Sequence, residues 1–535
     1  MTGKVVAVSG STVYVALKGL KLLERVYVGH RMLAGEVVRL DGERAVVQVY
    51  EDTRGLGVNE PVRGTGAPLT VRLGPGLLSG MFDGLQRPLE KLRDETGPFI
   101  GIGKEMPALD CSAGRRFVPL KRKGDEVAPG ENIGFVEEGA FRHFIAAVGR
   151  SQKRLSWIAG GEISLNEPVG AFEDGEIIMA CSEWPVRVQR PCRRRLPVSR
   201  PIVTGQRSID FLFPLARGGT AVLPGGFGTG KTILEQSIAK LADADIVVYV
   251  GCGERGNEMA EMIEEFLGLK DPWTGRPLME RTILVVNTSN MPVAAREASI
   301  YTAVTMAEYY RDMGYHVLFL ADSLSRWAEA LREISSSLEE MPGEEGYPTY
   351  LASRLSGFIQ RAGVVETLSG ATGSLSMVLS VSPPGADFTE PVTQACLRAG
   401  GAFLMLDTAL AHKRHFPAIN WFQSYSLYSK DTTEFYAEKV SAGWGNLMQR
   451  CRELLQKEQA LLEVSEIVGI EGLQDADRLV MRVAGMIRTE FLAQNAYTED
   501  AFSPPEKTCA AITRILDYHD NAAEGLKQGK GLEEI

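Results

Sequence analysis

Residues 220–242 read TAVLPGGFGTGKTILEQSIAKLA, and this stretch decides the fold of the central part of the chain. The apolar run Thr220–Leu223 leads into the glycine-rich segment Gly225–Thr232, and a helical stretch follows. GGFGTGKT fits the pattern G-x-x-x-x-G-K-[ST], in which backbone N–H groups cradle phosphate oxygens. The following helix points its positive N-terminal end at the same anion. A plain glycine-rich turn is the alternative, and the order strand, loop, helix favours phosphate binding.

Every residue of this loop is a candidate contact for a nucleotide phosphate. Its glycines allow the backbone to wind so that the N–H groups point inward. Lys231 adds a positive charge for the β- and γ-phosphates, and Thr232 offers a hydroxyl group to Mg²⁺. The candidate nucleotide-binding residues of the loop are Gly225, Gly226, Phe227, Gly228, Thr229, Gly230, Lys231 and Thr232.

A carboxylate ends a second apolar run. Residues 316–323, HVLFLADS, place Asp322 at the carboxyl end of the predicted strand Val317–Ala321. In P-loop proteins an acid at this place holds Mg²⁺. A strand-end aspartate can also cap the helix that follows it. The phosphate loop upstream favours the metal-binding role.

A third apolar run, Ile246–Val250, ends in GCGERGNEM at residues 251–259. Glu254 and Arg255 are therefore expected at the sheet edge where open α/β sheets collect their ligands. A carboxylate there can orient a water for in-line attack on the γ-phosphorus, and the arginine can neutralise phosphate charge. Glu258 would share a helix face with Glu254 if the helix began that early. The alternative is a solvated charged turn.

The remaining sequence divides into stretches of different pattern. Residues 1 to about 70 alternate like short strands around an Asp-Gly turn at 41–42, which indicates a small β-barrel or sandwich. Residues 110–190 are strand-like again and indicate a second β module. From about 200 to 425, apolar runs alternate with helical stretches, which is typical of a mostly parallel sheet. After about 430, apolar residues recur at helical spacing.

Composition excludes several classes of protein. The chain has 535 residues, 44% hydrophobic and 24% charged, which indicates a globular protein of three or four domains. Its formal charge of -10 disfavours nucleic acid as a partner. Seven scattered cysteines without a CxxC pair indicate neither zinc nor a disulfide framework, so reduced cytosolic thiols are expected. Neither a signal peptide nor a membrane span is indicated; a soluble protein that could dock on a membrane complex is expected.

Long ordered blocks resemble one family across essentially the whole chain: the catalytic A subunit, or alpha chain, of V/A-type rotary ATPases. The phosphate loop and GCGERGNEM are two of these blocks. The others are GPGLLSGMFDGLQRPLE at 74–90, NTSNMPVAAREASIYTA at 287–303, ADSLSRWAEALREISSSLEEMPGEEGYPTYLASRLSGF at 321–358, SPPGADFTEPVT at 382–393 and RHFPAINW at 414–421.

The resemblance implies a multidomain fold. It consists of an N-terminal β-barrel, an inserted β "bulge" module, a RecA-like α/β P-loop nucleotide domain and a C-terminal α-helical domain. The inserted module distinguishes this type of chain from B subunits and from F-type β chains. The expected limits are 1–70 for the barrel, 71–109 for a connecting segment, 110–190 for the inserted module, 191–430 for the nucleotide domain and 431–535 for the helical domain.

The resemblance also implies an assembly. Three copies would alternate with three B subunits in an A3B3 hexamer around a central stalk, with peripheral stalks beside it. ATP hydrolysis or synthesis, with ATP/ADP and Mg²⁺, would be coupled to H⁺ or Na⁺ movement through a membrane sector. The neighbouring B subunit would supply an arginine finger, worth roughly 10³–10⁵ in turnover. The chain would lie in the cytoplasm, peripheral on the membrane face, and bind no nucleic acid.

Carried over residue by residue, the resemblance assigns the site. Lys231 and Thr232 match the phosphate and Mg²⁺ contacts, and Asp322 matches the acid on the Mg²⁺ side. Glu254 matches the glutamate that activates the attacking water, and Arg255 matches its phosphate-contacting neighbour. Two aromatic residues match the adenine pocket, where a flat π-face suits a purine and a core position is the alternative. These are Phe416, in HFPAIN, and Tyr497, in QNAY.

Four features depart from the family pattern. Gly226 stands for a usual proline, which is expected to make the loop more flexible. Leu324 stands for a usual threonine, and Ala386 stands for the second glycine of SPPGGDF. The chain ends at Glu533-Glu534-Ile535, earlier than family members usually do. None of these departures removes a catalytic group.

Two other functions compete with the interpretation as a rotary catalytic chain. Another hexameric RecA-like motor is one: a protein-export ATPase would lack the 110–190 insert, and a Rho-type helicase would need basic, aromatic-rich loops. Arg190 and the run 193–195 form the notable basic cluster, interpreted as a solvated face or an assembly contact. The other is a structural protein of the complex that binds nucleotide without turnover. The presence of Lys231, Glu254 and Asp322 together argues against it.

Overall fold

The computed structural model describes residues 2–97, 101–147, 149 and 151–532, and for Val468 the backbone alone. The last three residues, Glu533-Glu534-Ile535, lie outside the described residues. The expectation that the chain ends early falls on these residues. The chain forms two compact units. The first comprises Met1–Leu196, Ala244–Val381 and Thr389–Ala399, and the second comprises Pro197–Asp243, Ser382–Phe388 and Gly400–Ile535.

The first unit begins with a closed six-stranded β-barrel. Its strands are Thr2–Ser9, Thr12–Ala16, Glu24–Val28, Leu33–Asp41, Arg44–Val49 and Pro61–Pro68. Around the barrel they follow the order first, second, fifth, fourth, third, sixth. Asp41 pairs with Arg44 across the predicted hairpin turn, where Gly42 adopts a φ of 59°. Valines at alternate positions fill the interior, Val5, Val13, Val26 and Val47 among them.

A second β module follows, reached through the strands Thr70–Leu73 and Met81–Phe82 and the helix Leu89–Thr96. Its strands are Arg115–Pro119, Glu126–Val127, Asn132–Glu138, Phe141–Ala146, Lys153–Ile158, Gly161–Ile163, Pro168–Phe172 and Ile177–Met179. They form two four-stranded sheets over one apolar core. The next strand, Ser182–Pro185, pairs antiparallel with Thr70–Leu73. The chain therefore leaves the module beside the segment that leads into it.

A parallel sheet completes the first unit. Its strands lie in the spatial order Met81–Phe82, Thr282–Thr288, Ile246–Glu254, His316–Asp322 and Thr372–Val381. Gly363–Glu366 adds antiparallel to the last of these, and Arg194–Leu196 pairs with Gly363–Glu366. The accompanying helices are Gly256–Gly268, Val293–Asp312, Leu324–Ser337, Leu351–Ile359 and Pro391–Ala399, with short turns at Leu278–Arg281 and Glu344–Gly346. The alternation predicted from the apolar runs is confirmed.

The second unit holds the phosphate loop. Thr220–Pro224 pairs parallel with Ala402–Phe403, which pairs antiparallel with Tyr425–Ser426, and Pro201–Ile202 pairs with Leu215–Ala216. Its first helical elements are Ser208–Leu212, Lys231–Leu241, Pro384–Ala386 and Thr408–His412. The helical elements of its last part are Ser429–Lys439, Trp444–Val468, Ile470–Gly472, Asp475–Met486, Ile487–Leu492, Glu499–Ala501 and Pro505–Lys527.

The C-terminal part of the second unit buries most of the apolar residues that recur at helical spacing. Cys451, Leu454 and Leu455 are buried on one helix, and Leu479 and Val483 are buried on the next. Among the described residues, no helix combines the length and the apolar character needed to cross a lipid bilayer.

Candidate functional site

The phosphate loop lies between a fully buried strand and a helix. Thr220–Pro224 is buried along its whole length, and the helix begins at Lys231. Gly228 and Gly230 have φ values of 77° and 80°, a region that side-chain-bearing residues rarely adopt. The loop can wind this tightly because glycine occupies both positions.

Lys231 folds its side chain back over the loop. Its Nζ donates a hydrogen bond of 2.7 Å to the carbonyl oxygen of Gly225 and a longer one of 3.5 Å to that of Gly226. Thr229 Oγ1 donates to the same Gly226 carbonyl at 2.9 Å. The ammonium charge is thus held at the loop, and Phe227 at the tip is 89% exposed.

The aromatic residues predicted for adenine lie in the same unit as the loop. A Cβ atom built on Gly230 would lie 3.2 Å from Cε1 of Phe416, so the ring lies directly against the loop. Phe416 is 39% exposed and Tyr497 is 81% exposed. The backbone N–H of Gln494 donates to the Phe416 carbonyl at 2.7 Å. This bond fixes the segment that carries Tyr497 beside Phe416, and both rings offer open faces.

Asp322 lies at a sheet edge in the first unit. It ends its strand opposite Gly251, and Glu254 ends the neighbouring parallel strand. Asp322 is 2% exposed. Its Oδ1 accepts a hydrogen bond of 2.7 Å from Ser380 Oγ, and its Oδ2 accepts one of 3.4 Å from the Tyr249 hydroxyl. The structure brings Asp322 and Glu254 together at the edge predicted for ligands.

The surroundings of Glu254 disfavour its ionised form. Burial, then the charge of Asp322, then that of Glu258 raise the pKa of Glu254 to about 7, against the smaller opposing effects of Arg326 and Ser323. A carboxylate with a pKa near neutrality can accept a proton at physiological pH. The geometry and the charge pattern therefore make Glu254 a candidate general base.

The helix after Glu254 begins later than a shared helix face with Glu258 requires. It starts at Gly256, with Arg255 at its N-cap, and Glu254 belongs to the strand. The charge of Glu258 thus acts on Glu254 across the junction between the strand and the helix. Arg255 has a side chain that is 62% exposed and pairs with Glu258 at 3.4 Å. It stands at the same edge, accessible to an anion.

The donor groups present fit Mg²⁺. No cluster of three or more metal-ligating side chains occurs in the part of the chain that the structure describes. Mg²⁺ ordinarily takes one or two carboxylates, and the phosphates and waters complete its shell. Asp322 offers a buried carboxylate with neutral hydroxyl partners, and Thr232 offers a hydroxyl on the first turn of its helix. Each group, Asp322 in the first unit and Thr232 in the second, is by its own chemistry a donor that Mg²⁺ accepts.

Sequence reasoning missed the residues that set the charge of this edge. Arg326, within DSLSRW, has a charge that lowers the pKa of Glu254, and its guanidinium pairs with Glu329 at 2.9 Å. Ser380 and Tyr249 orient Asp322 from the two strands beside its own. The position of Arg326 four residues after Asp322 was the available signal. No sequence signal pointed to Ser380 or Tyr249, because their contacts with Asp322 depend on which strands lie side by side in the sheet.

Leu324 and the basic cluster, both noted in the sequence, have contacts within the fold. Leu324, in place of the usual threonine, is fully buried. The basic cluster is paired within the first unit: Arg193 and Arg194 contact Glu366 and hold the pKa of that carboxyl below its usual value. Arg190 Nε contacts Asp312 at 2.6 Å. Arg193 and Arg194 are 57% and 69% exposed, so this part of the cluster is a solvated face that is also tied to the fold by ion pairs.

These features define a multidomain P-loop nucleotide-binding protein with an N-terminal barrel and a C-terminal helical domain. Family models match the ATP synthase alpha/beta family beta-barrel domain at 5–66, its barrel-sandwich domain at 106–187, its nucleotide-binding domain at 205–426 and the C-terminal domain of V and A type ATP synthase at 433–535. The chain belongs to the ATP synthase alpha/beta family, in its V/A-type branch. The predicted fold class is confirmed.

Individual relatives match over nearly their whole length. The V-type ATP synthase alpha chain of Anaeromyxobacter sp. (strain K) is 51% identical over 538 residues, which is 100% of this chain and 93% of the relative. The A subunit of the A-type ATP synthase of Methanopyrus kandleri is 50% identical, with 100% of this chain and 92% of the relative covered. The assembled ATPase EscN of the type III secretion system of enteropathogenic E. coli has a similar fold, with a TM-score of 0.70 over 96% of this chain and 99% of that one. Its identity of 21% makes this a likeness of fold alone.

Proposed function

We propose that this chain is the catalytic alpha chain, or A subunit, of a V/A-type rotary ATPase. It hydrolyses or synthesises ATP, coupled to H⁺ or Na⁺ transport across a membrane. The observation that carries the proposal is Glu254: a carboxylate at a sheet edge, beside Asp322, with its pKa raised to about 7 in a chain of the ATP synthase alpha/beta family. A carboxyl with a strongly shifted pKa at a ligand-collecting sheet edge favours a catalytic role over a purely structural one.

The phosphate loop, Glu254 and Arg255 each have a role in the reaction. The backbone of Gly225–Thr232 and the ammonium of Lys231 bind the phosphates, because a wound glycine loop and a fixed positive charge suit a polyanion. Glu254 accepts the proton of the attacking water, and its protonated form returns that proton in synthesis. Arg255 neutralises phosphate charge. These interactions position the reacting groups and stabilise developing charge, which is the main protein contribution to phosphoryl transfer.

Two further groups complete the assignment. Mg²⁺, when bound with the nucleotide, neutralises charge on the β- and γ-phosphates, and Thr232 and Asp322 are the residues that would hold it. Adenine lies against Phe416 and Tyr497, whose open rings offer π-faces to the purine.

The partners follow from the names of the relatives, which belong to V-type and A-type ATP synthases. We infer a B subunit in an alternating A3B3 hexamer, an arginine finger supplied by that neighbour, central and peripheral stalks, and a membrane sector reached through the complex. The chain then lies on the cytoplasmic face of the membrane. The domain limits 1–70, 71–109, 110–190, 191–430 and 431–535 are part of this proposal.

The alternative, a structural role without turnover, is separated from the proposal by Glu254→Gln. In the reconstituted complex, the variant is expected to bind Mg-ATP with unchanged affinity and to lose at least 100-fold in turnover, since general-base catalysis typically contributes about 10²–10⁴. Glu258→Gln, which removes a charge four residues away, is the matched control and should keep most of the turnover. Unchanged ATP hydrolysis in the Glu254 variant would contradict the catalytic assignment.

A further inference from the structure

Two cysteines meet where the second β module joins the rest of the first unit. Ser182 pairs with Leu73, which places Cys181 beside Gly74. A Cβ atom built on Gly74 would lie 2.4 Å from Sγ of Cys181 and 3.1 Å from Cδ1 of Leu109. The Cys181 sulfur and the Leu109 side chain therefore come together over the backbone of Gly74, at the point where the chain enters and leaves the module.

Cys111 also lies close to Leu109. Its Sγ lies 3.7 Å from the carbonyl oxygen of Leu109. Both cysteines are half-buried and pack against the apolar core of the module, beside residues such as Leu165. Cys111 is also one of the groups close enough to act on the Cys181 thiol. Both side chains thus lie around Leu109, and a disulfide between them requires Cβ atoms about 3.5–4.5 Å apart.

The environment of this pair sets its reactivity. Burial, and then the neighbouring Cys111, raise the pKa of the Cys181 thiol, while Arg72 opposes them. A raised pKa keeps the thiol protonated near neutral pH and slows its attack on a disulfide. Cys181 is therefore expected to attack a disulfide slowly at neutral pH and faster as the pH rises.

We propose that Cys111 and Cys181 form a reversible disulfide that joins the two ends of the second β module, by exchange with a low-molecular-weight disulfide. One protein thiolate attacks the small disulfide, giving a mixed disulfide and one small thiolate. The other protein thiolate then displaces the second small thiolate and forms the Cys111–Cys181 bond. Two protein thiols are oxidised, and one small disulfide is reduced to two thiols. The inference is independent of the proposed catalytic function.

The position of this bond connects the second β module to other parts of the first unit. Cys111 and Cys181 lie near the two ends of the barrel-sandwich domain, matched at 106–187. The charge of Cys181 also acts on Tyr309, in the helix Val293–Asp312. The same helix carries Ser299, whose hydroxyl lies 3.6 Å from Sγ of Cys252 on the strand that ends in Glu254. The module ends therefore lie close to a helix that also contacts the candidate catalytic strand.

The test treats the full-length chain with hydroxyethyl disulfide at pH 8, blocks remaining thiols and maps peptides by mass spectrometry without reduction. The expected product is a peptide pair cross-linked through Cys111 and Cys181, formed faster at pH 9 than at pH 7 and reversed by dithiothreitol. Cys192→Ser, at another half-buried cysteine, should still give the cross-link. Separate adducts of hydroxyethyl thiol on Cys111 or Cys181, without a cross-link, would overturn the proposal.

A second pair of variants guards against loss of folding. Cys111→Ala and Cys181→Ala should each melt within a few degrees of the parent under reducing conditions and form no cross-link at this position. Oxidation should raise the melting temperature of the parent, because the bond restricts the unfolded chain. The melting temperatures of both variants should stay the same after oxidation. An equal oxidative shift in the variants would count against a bond between these two residues.

Discussion

The carboxylates of Glu254 and Asp322 lie at the ends of neighbouring parallel strands, and the charge of Asp322 helps to raise the pKa of Glu254 to about 7. The two groups have different environments. Asp322 is held by hydroxyl hydrogen bonds from Ser380 and Tyr249, whereas burial and two like charges act on Glu254. A buried carboxylate held by two hydroxyl groups suits metal binding, and a neighbouring carboxyl with a pKa near neutrality suits proton transfer.

The charges around Glu254 predict the pH dependence of ATP hydrolysis. Turnover needs ionised Glu254, so the rate should fall as the pH drops below about 7. Glu258→Gln removes a like charge and should move this acidic limb to lower pH. Arg326→Gln removes an opposite charge and should move it to higher pH. The measurement is the turnover number of the reconstituted complex between pH 5.5 and 8.5.

Because the Glu258 and Arg326 variants should shift the acidic limb in opposite directions, each serves as the control for the other. General damage to the site would lower the plateau in both variants without moving the two limbs apart. Glu261→Gln, an exposed change on the helix after Glu254, should leave the limb where it is. Limbs that shift in the same direction for the glutamate and arginine variants would contradict the assignment of the limb to Glu254.

The raised pKa of Glu254 also predicts a cost in stability. A carboxyl with a pKa of about 7 in the fold and an ordinary value of 4.5 binds its proton more tightly when folded. Its ionisation therefore destabilises the fold as the pH rises from about 4.5 to about 7, and the full cost is present above pH 7. Glu254→Gln should raise the free energy of unfolding at pH 8 by about 1–3 kcal/mol.

Chemical unfolding at pH 8 and pH 5 measures this effect. The gain of the glutamine variant should shrink at pH 5, because the parent carboxyl is by then protonated in the fold. Glu261→Gln removes the same charge from an exposed position and should give a change within about 0.5 kcal/mol. A glutamine variant less stable than the parent at pH 8 would show that the carboxylate makes stabilising contacts instead.

Local patterns in the sequence predict the elements and several chemical groups of the site. The apolar run before Asp322 predicts its strand, and the glycine pattern predicts the loop, since both depend on neighbours in the chain. The position of Arg326 soon after Asp322 indicates that it lies near the same sheet edge, but its approach to Glu254 could not be predicted from local patterns. It depends on Ile246–Glu254 lying between Thr282–Thr288 and His316–Asp322, an order that periodicity does not contain. The contact of Phe416 with Gly230 is equally non-local.

The exposed rings beside the loop predict a base-specific loss of affinity. Phe416→Leu and Tyr497→Leu should each weaken ATP binding about 2- to 10-fold, since an aromatic stacking pair contributes about 0.5–1.5 kcal/mol. Inorganic tripolyphosphate has no base, so its affinity should not change. Isothermal titration calorimetry on the complex gives both values. Phe422→Leu is the matched control, because Phe422 is 41% exposed, close to the 39% of Phe416. Equal losses for both ligands would place these rings at the phosphates.

Ala386 predicts a stabilising substitution at a departure from the family pattern. Its φ is 58°, in the left-handed region, where the family pattern has glycine. An L-residue there costs about 1–2 kcal/mol, whereas glycine costs about 0.4–1 kcal/mol through the greater freedom of the unfolded chain. Ala386→Gly should therefore raise the free energy of unfolding by up to about 1 kcal/mol, measured by urea unfolding of the full-length chain.

The neighbouring Gly385 supplies the reverse experiment. Its φ of 63° lies in the same region, and a Cβ atom built on it meets nothing within 4 Å. Gly385→Ala therefore adds backbone strain without a steric clash, and the expected change is a loss of about 1 kcal/mol. A gain for glycine at 386 with a loss for alanine at 385 isolates the backbone conformation as the cause. If both variants lose stability, the Ala386 methyl group contributes packing that outweighs its strain, and the usual glycine would not suit this chain.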